Sequence, residues 1–154
     1  MIQTDLEKIK ETIKDFFGKM GPDIEVEIKN PRDSTIPVDL KMDDPQIFIG
    51  EGGQTLIEIQ HLLKAILRRK INAEGPFYID LDINDYKKKK IEYLKEVART
   101  VADEVALTKK EKQLPAMPAY ERRIIHLELA LRGDVTTESI GREPERQVVI
   151  RPHP

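Results

Sequence analysis

Residues 118–126 read Pro-Ala-Tyr-Glu-Arg-Arg-Ile-Ile-His and open a helix with an apolar period. That period comes from Ile124, Leu127 and Leu131, so the helix is predicted to run to about Leu131. Arg122 and His126 are four residues apart and share one helical face, which we expect to lie opposite those apolar residues. A guanidinium beside an imidazole offers several hydrogen-bond donors to one anion. The stretch therefore predicts a phosphate contact.

Arg122 and His126 also fit a purely structural role. In that interpretation His126 fixes the extended connector predicted over residues 114–118, and Arg122 pairs with a carboxylate such as Glu121 or Glu138. Buried polar groups require partners of this kind. The sequence leaves both interpretations open.

A glycine-rich turn, Gly50-Glu51-Gly52-Gly53, follows a short helix that ends at Ile49 and precedes a long helix. The start of a helix presents unpaired N–H groups, and glycine lets a phosphodiester approach the backbone closely. The G-x-x-G loop of KH domains holds about four nucleotides in this way. The alternative is a plain connection between two helices.

The hydrophobic pattern predicts two small domains, residues 1–84 and residues 85–154. The first has the predicted order helix, strand, strand, helix, helix, strand, and Pro37 indicates either an edge strand or a strand start. The second is predicted to contain a helix of roughly five turns, the connector, the helix of Arg122 and His126, and two strands. Those strands are predicted over residues 136–140 and 147–150.

The composition excludes several classes of protein. The 154 residues include no cysteine, which excludes disulfides and thiolate metal sites, and the three histidines lie too far apart in sequence to suggest a metal site. The sequence shows neither a signal peptide nor a membrane-spanning run, so we expect a cytoplasmic protein without membrane insertion. It also shows no nucleophile–base pair, P-loop or paired carboxylates, so we expect no catalysis and no cofactor.

The net charge of −2 conceals an asymmetry between the two halves. Residues 1–84 carry 11 Lys and Arg against 16 Asp and Glu, whereas residues 85–154 carry 15 against 12. The basic half includes the run Lys87-Lys88-Lys89-Lys90 at a predicted helix start, where the helix dipole disfavours cations. This run is either an ordinary solvated helix start or a contact for an external anionic partner.

Several stretches carry a resemblance to a known family. In the first half they are Ile49-Gly50-Glu51-Gly52-Gly53-Gln54-Thr55-Leu56 and Leu81-Asp82-Ile83, and the second half begins with Tyr86-Lys87-Lys88-Lys89-Lys90. The second half continues with Tyr120-Glu121-Arg122-Arg123-Ile124-Ile125-His126, Val135-Thr136-Thr137-Glu138-Ser139, Gly141, Pro144, Arg146 and Val148-Val149-Ile150. With them the chain resembles the bacterial Jag family (SpoIIIJ-associated protein, also called KhpB). That family joins a KH domain to an R-three-H domain, which is named for its Arg-x-x-x-His.

The resemblance implies an α+β fold: a type II KH domain (αββααβ, a three-stranded sheet with helices on one face) followed by a small R-three-H α/β domain. It implies a non-enzymatic protein that binds single-stranded RNA, or single-stranded DNA, in post-transcriptional regulation linked to cell envelope growth and division. A separate single-domain KH protein is implied as a partner. The residues implied to contact RNA are Gly50, Glu51, Gly52, Gly53, Gln54, Lys87, Lys88, Lys89, Lys90, Arg122, Arg123, His126, Ser139 and Arg146.

Two features depart from the family pattern. Members usually place Lys or Arg inside the G-x-x-G turn, whereas this chain has Glu51 and Gly52, and a carboxylate repels an incoming phosphate. Many members also carry an N-terminal domain on a basic linker, and this chain, which starts at the KH helix, is expected to lack both. The acidic turn keeps a second hypothesis open: a protein-interaction adaptor whose KH unit mainly dimerises and binds little RNA.

Overall fold

The computed structural model describes the backbone of residues 3–154 and the side chains from residue 5 onward. The fold is α+β and divides into two compact units, residues 1–87 and residues 88–154. The domain boundary predicted after residue 84 stays a prediction. Within the described residues, no helix combines the length and the apolar character needed to cross a bilayer.

The first unit has the predicted order of helices and strands, with one short 3-10 turn added. Its elements are α1 (Gln3–Gly18), β1 (Ile24–Ile28), β2 (Thr35–Met42), α2 (Gln46–Ile49), the 3-10 turn Glu51–Gly53, α3 (Gln54–Lys70) and β3 (Tyr78–Ile83). The sheet order is β1-β2-β3, with β1 antiparallel and β3 parallel to β2. A parallel pair requires a crossover connection, and here α2 and α3 supply it.

One hydrophobic core joins α1 and α3 to this sheet. Helix residues at helical spacing and strand residues at every second position point into it. The buried residues include Ile9, Ile13 and Phe17 of α1, Leu56, Leu63 and Leu67 of α3, and Ile36, Val38, Leu40, Ile79, Leu81 and Ile83 of the strands.

Pro37 lies in the central strand, so its predicted edge position is wrong, and it is the third residue of β2, two residues after the strand start. The carbonyl of Pro37 accepts a hydrogen bond from Lys29 N at 2.9 Å. In an antiparallel pair the N–H and C=O of one residue face the same neighbour, so the N–H that proline lacks would also face β1. Because β1 ends at Ile28, the missing donor falls where the ladder is already ending.

Two polar side chains close the end of β3. The Asn84 side chain donates to Met42 O at 2.8 Å and accepts from Met42 N at 3.0 Å, and so pairs with β2 as a peptide group would. Asp82 is only 6% exposed, and its Oδ1 accepts from Ile83 N at 2.9 Å and Lys87 N at 3.0 Å. Burial raises the pKa of Asp82, although these backbone donors oppose the shift. Its carboxyl group satisfies a donor in the first turn of α4 (Tyr86–Thr108).

The second unit packs helices on an antiparallel sheet. Besides α4, it contains β4 (Lys112–Gln113), α5 (Ala119–Leu129), β5 (Val135–Ile140) and β6 (Gln147–Pro152), in the sheet order β4-β6-β5. Both predicted strands are present, β5 starting one residue earlier and β6 ending two residues later than expected. The two-residue β4 was not predicted, because it is too short to show any alternation.

The buried face of α5 is not the predicted one. Ile125 and Leu129 are 0% and 3% exposed, whereas Leu127 is 64% exposed and Leu131, beyond the helix end, is 100% exposed. Both sets have helical spacing, so periodicity alone could not choose between them. Arg122 lies on the buried face one turn before Ile125, and because it is polar the apolar pattern did not indicate this face.

Candidate nucleic-acid interface

His126 lies between α5 and the edge strand β5. Its Nδ1 is 2.7 Å from Thr137 Oγ1, and its Nε2 is 2.8 Å from Ser139 Oγ. Thr137 and Ser139 share one face of β5 because alternate residues of a strand do. Their register partners on β6, Ile150 and Val148, are fully buried in the core beneath α5. Packing of α5 on the sheet therefore places the imidazole between the two hydroxyl groups.

Arg122 lies on the same helix and is mostly enclosed, with a side chain that is 10% exposed. Its Nε donates to Met117 O at 3.2 Å, and its Nη2 donates to the carboxylate of Glu143, which is 57% exposed. An arginine has five N–H donors in a planar fork, and these contacts use two of them. Arg122 thus fixes the connector before α5 and the turn between β5 and β6.

The charge of Arg146 acts on His126, and we use the name cationic cluster for Arg122, His126, Thr137, Ser139 and Arg146. The Nη1 of Arg146 donates to Gly141 O at 2.7 Å, across the β5–β6 turn. Burial lowers the pKa of His126, and the charges of Arg122 and Arg146 lower it further. Both effects favour the neutral imidazole, and an anion in the cluster would favour its protonated form.

The structural interpretation of Arg122 named the wrong carboxylates. Glu121 lies 4.0 Å from Lys90 Nζ and accepts a bond from Tyr120 Oη at 3.2 Å, whereas Glu138 pairs with Arg151. The sequence prediction missed Glu143 because it lies in a turn, far along the chain from Arg122. It also missed Thr137, for which a signal existed: the residue two before Ser139 on a strand shares its face. Arg123 is exposed on the solvent side of α5.

Backbone conformation and close neighbours explain the glycines at positions 50 and 53. Gly50 has φ +74°, and a Cβ there would lie 2.1 Å from Thr55 Oγ1. Gly53 has φ +82°, and a Cβ there would lie 2.9 Å from Tyr86 Cε1. Both positions require glycine whether or not a phosphate approaches. The exposed residues of this stretch are Glu51, Gly52 and Gln54, and Gln54 donates to Glu58 at 3.3 Å.

The four lysines at the start of α4 do not form one patch. Successive helix residues differ by about 100° in direction, so four of them point around most of the helix. Lys87 Nζ donates to Asp80 at 2.8 Å and Gln60 at 3.0 Å. Lys90 lies near Glu121, and its ammonium is 5.8 Å from the centre of the Tyr93 ring. Lys88 and Lys89 are exposed.

The guanidinium and hydroxyl groups of the cluster are hydrogen-bond donors that suit an anion, whereas both nitrogens of the imidazole already lie against hydroxyl groups. Among the described residues, no group of three or more His, Asp or Glu side chains is placed to hold a metal ion.

Comparison with known proteins identifies this second unit. Residues 92–152 match the R-three-H domain family. Over 149 residues the chain is 33% identical to the RNA-binding protein KhpB of Clostridium symbiosum, covering 96% of this chain and 66% of that protein. It is 38% identical over 106 residues to the KhpB of Lactiplantibacillus plantarum, covering 68% of this chain and 32% of that protein. It is 36% identical over 107 residues to the KhpB of Bacillus subtilis, covering 68% of this chain and 50% of that protein.

The chain belongs to the Jag (KhpB) family. It spans between about a third and two thirds of the length of these relatives.

Proposed function

We propose that the protein binds single-stranded RNA without catalysing a reaction, and that the cationic cluster of the second unit is its main phosphate site. The observation that carries this proposal is the position of His126, which lies against two hydroxyl groups and close enough to Arg122 and Arg146 for their charges to lower its pKa. Arg122 also contacts the carboxylate of Glu143. Guanidinium and hydroxyl donors suit a phosphodiester. The cluster lies within the R-three-H match, and the relatives are named RNA-binding proteins.

We also propose that residues 1–84 form a type II KH domain. Its support is the order αββααβ, the parallel pairing of β3 with β2, and the glycine turn before α3. In this proposal residues 50–54 contribute a weak contact to the nucleic-acid backbone, because Glu51 is exposed where family members usually carry a cation. Lys88, Lys89 and Arg123 are proposed as outlying contacts that add to the electrostatic attraction.

The biological role rests on family membership alone. We propose a cytoplasmic post-transcriptional regulator linked to cell envelope growth and division, with a separate single-domain KH protein as a partner. Single-stranded DNA is the second candidate ligand, since the proposed contacts are to the backbone.

The proposal is tested by fluorescence anisotropy of a labelled 12-nucleotide uridine RNA with the full chain across salt concentrations. The logarithm of affinity should fall linearly with the logarithm of salt, with a slope of roughly 0.7 per phosphate contact. Arg146→Ala should weaken binding about fivefold or more and reduce that slope by roughly one contact. Arg151→Ala is the matched control, because it removes the same charge from another place. Arg151 pairs in register with Thr136, so it lies on the other face of the sheet from Thr137 and Ser139. Equal losses in both variants would contradict the placement of the site.

A second candidate function is a protein-interaction adaptor. It is favoured by apolar side chains on the surface of the first unit, where Ile47 is 71% and Leu62 is 51% exposed, and by the carboxylate of Glu51. The same titration separates the two functions, because an adaptor gives no salt-dependent RNA binding. Sedimentation velocity of wild type and Leu62→Ser would then show a concentration-dependent dimer that the variant loses.

A further inference from the structure

Both ring nitrogens of His126 are already engaged within the protein. Each lies within 2.8 Å of a hydroxyl oxygen on β5, Nδ1 at Thr137 and Nε2 at Ser139. An imidazole forms one in-plane hydrogen bond at each nitrogen. A direct bond from His126 to a phosphate would therefore require it to give up one of these partners.

The protonation state of His126 determines whether the hydroxyl groups of Thr137 and Ser139 can donate hydrogen bonds to a ligand. A neutral imidazole donates from one nitrogen and accepts at the other. The hydroxyl that accepts from the ring keeps its own O–H for another acceptor, whereas the hydroxyl that donates to the ring does not. When the imidazole is protonated, both nitrogens donate, and both hydroxyl groups can direct their protons away from the ring.

We propose that the hydroxyl groups of Ser139 and Thr137 donate to the phosphodiester, and that His126 is a positioning residue that holds and orients them. This inference rests on the proposed function and deepens it, since it names the groups that contact the ligand. Both hydroxyl-bearing residues are half-buried on β5, an edge strand, and both contact His126, on which the charges of Arg122 and Arg146 act.

A dependence of affinity on pH follows. The pKa of His126 is lowered by burial and by the charges of Arg122 and Arg146. The other charged group in contact is Glu143, which pairs with Arg122. A bound phosphate opposes the lowering, so RNA binding is linked to proton uptake and strengthens as pH falls from 8.0 to 5.5.

The test uses the full chain and the same uridine RNA at constant ionic strength. Ser139→Ala and Thr137→Val should each weaken binding about fivefold, the effect of one lost charge-assisted hydrogen bond. Ser139→Thr keeps a hydroxyl and should bind within about twofold of wild type. Thr136→Val is the matched control, because Thr136 is exposed on the opposite face of the same strand. Wild-type affinity in Ser139→Ala would overturn the proposal.

A double-mutant cycle separates positioning from direct contact. His126→Ala should weaken binding in the wild-type background but cause no further loss in the Ser139→Ala/Thr137→Val background. A full additional loss there would mean that His126 contacts the phosphate itself. Should these variants fail to fold, imidazole 15N NMR of wild type with RNA decides the question: retained hydroxyl bonds at both nitrogens support positioning, and loss of one overturns it.

Two different results would contradict the hydroxyl contacts and the RNA-binding function. Salt-dependent RNA binding that Arg146→Ala weakens and Ser139→Ala leaves unchanged overturns only the hydroxyl proposal. Absence of RNA binding by the wild-type chain overturns the proposed function and this inference together.

Discussion

The glycine turn of the first unit and the cationic cluster of the second both resemble phosphate sites in sequence, yet their chemistry differs. In the turn, Gly50 and Gly53 have positive φ angles, and a side chain at either would collide with Thr55 or Tyr86. In the cluster, the side chains themselves provide the donors, and Arg122 and His126 are held by bonds to the backbone, a carboxylate and two hydroxyls.

A motif of glycines thus indicates backbone geometry, whereas affinity for an anion depends on charge. The turn keeps the geometry but exposes Glu51, so its field opposes a phosphate. The cluster holds two guanidinium groups against one carboxylate in contact, so its field attracts one. We therefore expect the two regions to respond differently to substitution.

The largest effect should come from Arg122→Ala. It removes a nearly enclosed guanidinium that contacts Met117 O and Glu143, and it should lower the free energy of unfolding by about 2–3 kcal/mol. RNA affinity should fall about tenfold or more in the fraction that stays folded. Urea denaturation beside anisotropy measures both effects. Arg123→Ala, the exposed neighbour, serves as the control, and equal behaviour of the two variants would remove the contrast between cluster and surface.

Gly53→Ala should act on stability and not on the cluster. The new Cβ would have φ +82° and would lie 2.9 Å from the Tyr86 ring, so we expect a loss of about 1–3 kcal/mol in the free energy of unfolding. Gly18→Ala is the control, since no atom lies within 4 Å of its Cβ position. If Gly53→Ala instead abolished RNA binding at unchanged stability, the turn would be the main phosphate site.

Glu143→Gln should make the cluster more positive and so increase its difference in charge from the glycine turn. The carboxylate competes with a phosphate for Arg122, so its removal should raise RNA affinity about twofold to fivefold, the range of a partly exposed ion pair. Anisotropy at low salt measures the change. Glu145→Gln, an exposed residue of the same turn, should have a smaller effect. A decrease in affinity would mean that Glu143 organises the site rather than competing for it.

The smallest effect should follow from Glu51→Lys, which restores the charge that family members place in the turn. If the turn faces the RNA, affinity should rise about twofold and the salt slope should steepen by roughly 0.7. Glu25→Lys makes the same charge change on β1 and controls for net charge. An unchanged slope would indicate that the turn contributes no contact, which would favour the adaptor function.

Most of the secondary structure follows from periodicity, because long amphipathic segments have one consistent apolar face. The order of the first unit is an example, with Ile9, Ile13 and Phe17 at helical spacing. Prediction failed where two faces were equally apolar, as in α5, where packing against the sheet buried Ile125 and left Leu127 exposed. Pro37 misled for a different reason: the sheet order depends on pairing between distant strands, and local sequence does not encode it.

The candidate site was only partly predictable. The spacing of Arg122 and His126 brought them to one region, and the sheet register explains why Ser139 joins them. The partners that determine their chemistry, Glu143 and Thr137, come from other elements. A sequence pattern reports which residues share an element, whereas hydrogen bonds between elements depend on the assembled fold.

The start of α4 has a consequence for dissecting the protein into fragments. Tyr86 occupies the space beside Gly53, and the Lys87 N–H caps the buried carboxyl of Asp82. A fragment cut after residue 84 would leave a cavity beside Gly53 and would remove one of the two backbone donors to Asp82. Fragments for separate study of the first unit should therefore extend at least one helical turn past Lys87. The fraying end of the helix then lies beyond Tyr86 and Lys87, and their contacts are kept.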